Sequence, residues 1–595
     1  MKQIIHFISF LFRLRGQLII ALLLFSAIAT AQEQTLPSQF PISTTIFDTI
    51  NTNPSLFNSF EATGLNTIWQ RADDNTQSML ENYSLLAINA FKDTEYIYHY
   101  STSYYTKWEA EQNQTDQSRV GVKHIGGSKV YYDSAWCWST NGLSAPACSL
   151  MYGPHYRQEK RYKRWHYGCT SGGDCLTYTP RFRMALDNPT GVDADEDVCV
   201  IKVVFRYKDL SDSLHHDTTF IARTLKVGDF DTSGNFDYFY LNPIQSLGIY
   251  KYWPNFILPK DVAQLPGSPS SIDYVDWESF TGIQFWMDWL RTDNLCTLYV
   301  DYVEVYDNAG WNAFIDFPQQ TANNIKNYAY YFKSHGWNNI KYWLGTNEPY
   351  TIDAYTPIHI VDSLIRSVQA PPLAVHFDPS WTWDLEINGE DEIEMFYNIA
   401  KPAKIILGIY PVAEWWPVIR AADFEWLRFN FQRTSALDPN FWFKSQCLGY
   451  RRLDNNNWCV WRKPISPELT SMVMLALAHG AKGIDFEWFD SYVQGTSNCG
   501  DVYIECLVDN NGVPMSNDGD TLYYTVKDKL IPRLKGSLGK TLLGLNYSGA
   551  YLELRRYMGP NTAESVTENY LTLSTTQQNP TPFTYYFHAG FFDKF

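Results

Sequence analysis

The chain has 595 residues, with 47 Lys and Arg against 64 Asp and Glu and a formal net charge of −17. That length exceeds one ordinary hydrophobic core and implies several domains, and the acidic balance repels phosphate backbones, which excludes nucleic acid as a partner class. The 21 Trp and 41 Tyr serve either large cores or flat rings placed for stacking.

Residues 1–31 read as a signal peptide. Lys2, Arg13 and Arg15 precede an apolar run over 17–28, and Ala29-Thr30-Ala31 supplies a small-x-small cleavage pattern. The expected location is therefore secreted: extracellular, periplasmic or at the cell surface. No later run reaches the ~20 apolar residues that a bilayer span requires, so the mature chain is expected to lack a transmembrane segment. An oxidising compartment lets cysteines pair, and spacing suggests Cys137 with Cys148, Cys169 with Cys175, Cys199 with Cys296, Cys447 with Cys459 and Cys499 with Cys506. Oligomeric state leaves no signal in the sequence.

Residues 32–90, rich in Thr, Ser, Asn and Pro, read as a leader segment. Over 91–307 short apolar or alternating runs recur between turn signals: YIYHYS, KVYYDS, CVIKVVFRY, TTFIARTLKV, FDYFYLN, GIQFWMDWL and CTLYVDYVEVYD. Such runs predict an antiparallel β-sandwich of the jelly-roll kind. Within it, GDFDTSGNFDY places Asp229, Asp231, Ser233 and Asp237 around a Gly turn, an oxygen-rich spacing that suits a structural calcium ion. The segment 151–168 is basic and aromatic, either a ligand-facing loop or a solvated hairpin.

Over 308–560 the rhythm becomes strand then helix. Strands are predicted at 312–316, 339–345, 372–377, 403–409, 440–446, 482–488 and 541–546, with helices over 319–335, 356–368, 390–399, 422–434, 466–479 and 522–534. This alternation predicts an α/β domain, a TIM-like (β/α)8 barrel following the N-terminal β-sandwich. Residues 561–595 turn β-rich again, as the start of a further β domain.

In such a barrel the active site gathers at the carboxyl ends of the strands. Here those ends carry Asn347 and Glu348 after Trp343; His376 and Asp378; Tyr410, Glu414 and Trp415; Gln446; and Asp485, Glu487 and Trp488. Paired carboxylates flanked by aromatic rings suit glycoside cleavage, in which one acid protonates the leaving oxygen while a second attacks the sugar or activates water. Alternation places Asp485 and Glu487 together on one strand face.

The corner Trp343-Leu344-Gly345-Thr346-Asn347-Glu348-Pro349 resembles the strand-end Asn-Glu-Pro of (β/α)8-barrel retaining glycoside hydrolases, and AHGAKGIDFEWFDSY (478–492) resembles a late strand of such barrels. The resemblance implies Glu348 as acid/base and a sandwich similar to a carbohydrate-binding module. It also implies a nucleophilic Glu three strands further on, where this chain has Gln446. If 339–345 is the second strand rather than the fourth, rank does not transfer, and Glu487 is the better second carboxylate. Three readings stay open: a glycoside hydrolase with Glu348 and Glu487 as its acid pair, a non-catalytic carbohydrate-binding protein on a degenerate barrel, and a structural surface protein whose aromatics serve only packing. In the first, Asn347, Trp343, Asp378, His376, Tyr410, Glu414, Trp415, Gln446, Asp485 and Trp488 line the substrate. The first two take a carbohydrate polymer as partner, and none requires a cofactor.

Overall fold

The computed structural model describes residues 39–594 apart from 47–52, 71–79, 82–84, 90–96, 102–104, 111–119, 125–133, 144–148, 153–176, 189–190, 209–214, 242–255, 258–281, 337–338, 350–353, 379–391, 415–420, 498–499, 517–518, 559–562, 569–570 and 577–582. Its centre is a closed barrel of parallel strands: β1 (Ile42–Thr45), β2 (Thr67–Gln70), β3 (Leu86–Asn89), β4 (Ile340–Leu344), β5 (Leu373–Phe377), β6 (Lys404–Ile409), β7 (Trp442–Gln446) and β8 (Gly483–Glu487). The ring closes where β8 pairs with β1, Ser43 opposite Asp485 and Thr44 opposite Phe486.

This arrangement differs from the sequence reading in one decisive way. The segment 32–90, read as a leader, holds β1 to β3. Each of these strands has four residues, and β1 is the hydroxyl-rich ISTT, so no apolar run marks them. The sandwich is consequently not N-terminal to the barrel but inserted into it, between β3 and β4. The supposed strand at 312–316 is a π-helical turn, Asn312–Asp316. The one at 541–546 straddles the helix Ser537–Leu543 and the strand Leu545–Met558, outside the barrel. Glu348 therefore follows the fourth strand, and Gln446 ends the seventh.

Helices cover the outside of the ring. The first, Pro54–Thr63, starts on Asn53, whose Oδ1 accepts from Leu56 N at 3.2 Å, and ends at Gly64 with φ 81°, a left-handed stop that glycine takes without steric cost. Helix Pro318–Ser334 follows the insertion and leads into β4. Trp343 of β4 points outward against it, with ring centroids 4.9 Å from Phe332 and 5.7 Å from Tyr328. Later helices, Tyr355–Ser367, Glu392–Ala400, Ala421–Leu437 and Ser466–Ala478, alternate with β5 to β8.

The lumen is packed, not open. On β7 and β8 the register sets Trp442 beside Gly483, Lys444 beside Asp485 and Gln446 beside Glu487. Two glycines exist for space: a Cβ on Gly483 would meet the Trp442 ring at 2.6 Å, and one on Gly408 would overlap the His376 imidazole.

The insertion consists of antiparallel sheets. Strands His215–Lys226, Asp197–Lys208, Gly282–Trp289 and Ser149–Tyr152 form one; Thr177–Asp187 and Thr297–Asp307 form the centre of the other. Ile201, Val203, Phe285, Leu298, Val303 and Phe182 are buried between them. YIYHYS, read as a strand, is largely the helix Ile97–Ser101 on the stem that leaves the barrel, and KVYYDS lies mostly outside the described residues. The Ser101 carbonyl accepts from Thr346 Oγ1, which ties this stem to the residue before Asn347. Beyond the barrel, Leu545–Met558 pairs with Phe583–Lys594 and Ala563–Glu568 with Leu571–Thr576.

Cys137, Cys199, Cys296, Cys447 and Cys506 are buried free thiols, so the pairings 137–148, 199–296, 447–459 and 499–506 are not made. Cys447 packs in the main core, while Cys506 sits with Leu448 and Ile504 in a separate cluster. Cys169 and Cys175 lie outside the described residues. Burial pushes the Cys137 thiol up to about 12 and raises Cys447 and Cys506 as well, which removes the thiolate character that oxidation requires. Among the described residues no helix is long and apolar enough to cross a membrane.

Gly483→Ala is expected to destabilise the fold by about 1–3 kcal/mol, because the added methyl must displace the Trp442 indole within a filled lumen. Denaturant titration measures this. An unchanged midpoint would mean that the lumen tolerates the added volume.

Candidate functional site

Leaving β4, the chain runs through Gly345 and Thr346 to an exposed Asn347 and then turns sharply. Glu348 has φ 48°, a left-handed conformation that costs a non-glycine residue about 1–2 kcal/mol. It is held there by its own N–H, which donates to His376 O at 2.8 Å. The side chain is 19% exposed, at the carboxyl end of the barrel.

His376, on β5, is buried beneath this corner. Its Nδ1 lies 2.8 Å from Asn347 Oδ1 and 3.7 Å from Glu348 Oε1, and its Nε2 lies 3.4 Å from the Tyr410 hydroxyl at the end of β6. Burial, reinforced by the Lys444 ammonium, pulls the imidazole pKa well below its usual value, so the ring is neutral. Tyr410 is pushed far up, first by burial and then by the negative charges of Glu348, Asp378 and Asp485. Asp378 is itself buried beside it.

Lys444 occupies the lumen between the two acids of β8. Its Nζ pairs with Glu487, lies 3.6 Å from Asp485 and sits 4.0 Å above the Trp69 ring. Ser43 Oγ donates to Asp485 from the β1 side. Burial drives Asp485 up and Lys444 down, and each opposes the shift in the other. With two carboxylates against one ammonium, the charged lysine is the form the cluster favours.

Gln446 is a structural clamp. Its Nε2 donates to the carbonyls of Val412 (3.1 Å), Leu448 (3.3 Å) and Arg462 (3.1 Å), while its Oε1 accepts from Val412 N at 2.9 Å. These bonds join the loop after β6 to the loop after β7. The two Nε2 hydrogens are shared among the three carbonyls, a fully made bond contributing about 1 kcal/mol net, and a carboxylate at this place would face three acceptors.

Beyond Tyr410, aromatic rings pack on an apolar cluster that holds Leu448, Val502 and Ile504. Trp461 lies edge-on to Tyr410 (5.7 Å) and Tyr450 (5.1 Å), and Trp488 lies 5.7 Å from Tyr492. Tyr450 and Tyr492 are carried by a small antiparallel sheet, Gly449–Arg452, Tyr492–Ser497 and Gly500–Glu505, grown from the loops after β7 and β8.

The structure thus brings Asn347, Glu348, His376, Asp378, Tyr410 and Asp485 together. Trp343 faces the outer helix and is 1% exposed, so it does not line the mouth. Glu487 is paired with Lys444, and Gln446 is spent on backbone. Glu414 donates its N–H to Val460 O at 3.0 Å in the loop after β6, and Trp415 lies outside the described residues, as does most of 151–168. Lys444, Ser43, Trp69, Tyr450 and Trp461 were not singled out from the sequence. Lys444 carried a signal, a charge alternating with Trp442 and Gln446 on a strand face.

The carboxylates of the Asp229 loop accept hydrogen bonds in and beside the turn. Asp229 accepts from Lys226 N and Arg223, Asp231 from Ser233 N and Asn235, and Asp237 from Tyr238 N. Ser233 donates to Asp231 from its N–H and from its side chain. The carboxylates are spent within the turn, and among the described residues no three His, Cys, Asp or Glu side chains cluster as a metal site.

No family model matches the chain, and no curated protein does. Among solved structures it is similar to the CBM22-1 and GH10 modules of an N-terminal endo-1,4-β-D-xylanase of Clostridium thermocellum complexed with xylohexaose (7% identity, 72% of this chain and 96% of that chain, TM-score 0.24). It is also similar to the C-terminal family 22 carbohydrate-binding module from the same organism (10%, 35% and 94%, TM-score 0.17) and to a family two carbohydrate esterase from Cellvibrio japonicus (9%, 64% and 88%, TM-score 0.11). Overlays this loose carry no weight for function, and the barrel stands on its own strand register.

Lys444→Met leaves two buried acids without a counter-charge and is expected to cost about 3–5 kcal/mol at neutral pH. The Asp485 carboxyl, already raised by burial, loses the ammonium that opposes that shift and moves further above its unfolded value of about 4. The loss is therefore absent below about pH 4 and grows as pH rises through that range. Denaturant midpoints measured against pH check this, and a pH-independent loss would contradict it. Gln446→Glu is expected to cost about 3 kcal/mol or more at neutral pH by the same desolvation argument, read by thermal melting. A variant as stable as the parent would show that the clamp is dispensable.

Proposed function

We propose that the carboxyl-end mouth of the barrel binds a carbohydrate chain and that double-displacement hydrolysis is closed to it. What carries this reading is the side chain at the end of β7, where the nucleophile of the resembled hydrolases belongs. Gln446 has no nucleophilic oxygen of its own, and its amide makes four hydrogen bonds to backbone. A retaining glycosidase needs a second carboxylate to attack the anomeric carbon. Glu487, next in the sheet, is committed to Lys444.

The binding half of the proposal is supported by the features that remain. An exposed amide at Asn347, a carboxylate held in a strained turn at Glu348, and rings at Tyr410, Tyr450, Trp461 and Trp488 combine hydrogen-bonding groups with flat apolar faces. Strain kept at an exposed corner, where a glycine would relax it, is a mark of use rather than of stability. With the signal peptide reading of residues 1–31, the proposal places this activity outside the cytoplasm, on an extracellular polysaccharide or glycan.

Affinity electrophoresis against a panel of neutral polysaccharides, with reducing-end release measured in parallel, tests this. The expected result is retardation by at least one polymer, with no more release from the wild type than from Glu348→Gln. Release by the wild type that Glu348→Gln abolishes would overturn the non-hydrolytic reading and restore the acid-pair hydrolase. Failure of every polymer to retard the protein would overturn the binding reading.

A further inference from the structure

The corner at Asn347 belongs to a hydrogen-bonded series whose direction is set by its surroundings. His376 Nδ1 faces two oxygens, Asn347 Oδ1 at 2.8 Å and Glu348 Oε1 at 3.7 Å. An amide carbonyl and a carboxylate offer no hydrogen, so Nδ1 carries one and donates it to Asn347. In a neutral imidazole Nε2 is then the acceptor, and the Tyr410 hydroxyl, 3.4 Å away, is its donor. Gly408 leaves the room the ring needs, since any Cβ there would overlap it. With Oδ1 committed to His376, the Asn347 amide has its Nδ2 hydrogens left for the solvent side, on a residue that is exposed.

We propose that Tyr410 and His376 are positioning residues that hold Nδ2 of Asn347 toward the mouth, so that Asn347 and Glu348 together read a vicinal diol. One hydroxyl oxygen of the diol accepts from Asn347 Nδ2–H, and the neighbouring hydroxyl donates to the Glu348 carboxylate. The two side chains converge on one imidazole nitrogen, which keeps donor and acceptor adjacent. The inference rests on the carbohydrate reading above and narrows it to chains with adjacent unsubstituted hydroxyls.

The relay is tested without any ligand. In the full chain carrying 15N-labelled histidine, with His376 assigned by its loss in His376→Gln, Nδ1 is expected to show the protonated signature and Nε2 the unprotonated one at neutral pH. Tyr410→Phe is expected to shift this toward a mixture of tautomers, a change that a merely structural role for the tyrosine would not produce. A wild-type ring protonated on Nε2, or on both nitrogens, would overturn the relay. The diol reading is tested by affinity electrophoresis with a retarding polysaccharide before and after periodate cleavage of its vicinal diols. Oxidation is expected to weaken binding about tenfold or more, and Asn347→Asp, which turns the donor into an acceptor, by at least as much. Undiminished retardation by the oxidised polymer overturns the diol reading. If no polysaccharide retards the protein, that reading falls with the function it rests on, while the tautomer measurement still decides the relay by itself.

Discussion

The pairing of β8 with β1 is the constraint on which the remaining structure depends. It joins residues more than four hundred positions apart and is secured in the lumen by Ser43 on Asp485 and by Lys444 between Asp485 and Glu487. Once the ring is closed there, β1 to β3 must come from 42–89, and the sandwich can only be an insertion. The rank of every later strand then follows. Glu348 stands at the end of the fourth strand and Gln446 at the end of the seventh because of this seam.

Most of the second half of the barrel was legible in the sequence. Strands 372–377, 403–409, 440–446 and 482–488 match β5 to β8 within one or two residues, since buried parallel strands read as near-continuous apolar runs. The first three strands were not legible. Each has four residues, and β1 meets its neighbours through hydroxyls as much as through aliphatic carbons, with Thr44 Oγ1 donating to Phe486 O at 2.6 Å. A strand that owes its place to pairing partners hundreds of residues away leaves little local pattern. The same limit explains the miscount that made 339–345 a candidate second strand.

The site was legible in its residue types but not in its pairings. Glu348, Asn347, His376, Asp378, Tyr410 and Asp485 converge because strand ends converge. Alternation correctly set Asp485 and Glu487 on the lumen face, yet it could not show that Lys444, one strand away at the same level, neutralises them. Trp343 illustrates the opposite error: beside Tyr342 and Leu344 it has the other parity, so the pleat turns it out to the helix. Parity alone would have removed it from the substrate side.

Polarity in the barrel thus divides by depth. Within the lumen the strong charges face one another: Lys444 lies between two acids and on an indole, and the amide of Gln446 is bonded to backbone. These groups hold the ring together and need no ligand to be stable. At the rim the conditions are different. Glu348 is held in a left-handed turn by the carbonyl of His376, and Asn347 is exposed with its amide aimed by the same residue. One buried histidine therefore fixes both the backbone and the side-chain direction of this corner. The clamp at the end of the seventh strand and the donor and acceptor at the end of the fourth are held by separate sets of bonds, so the geometry of the corner does not depend on what stands at Gln446.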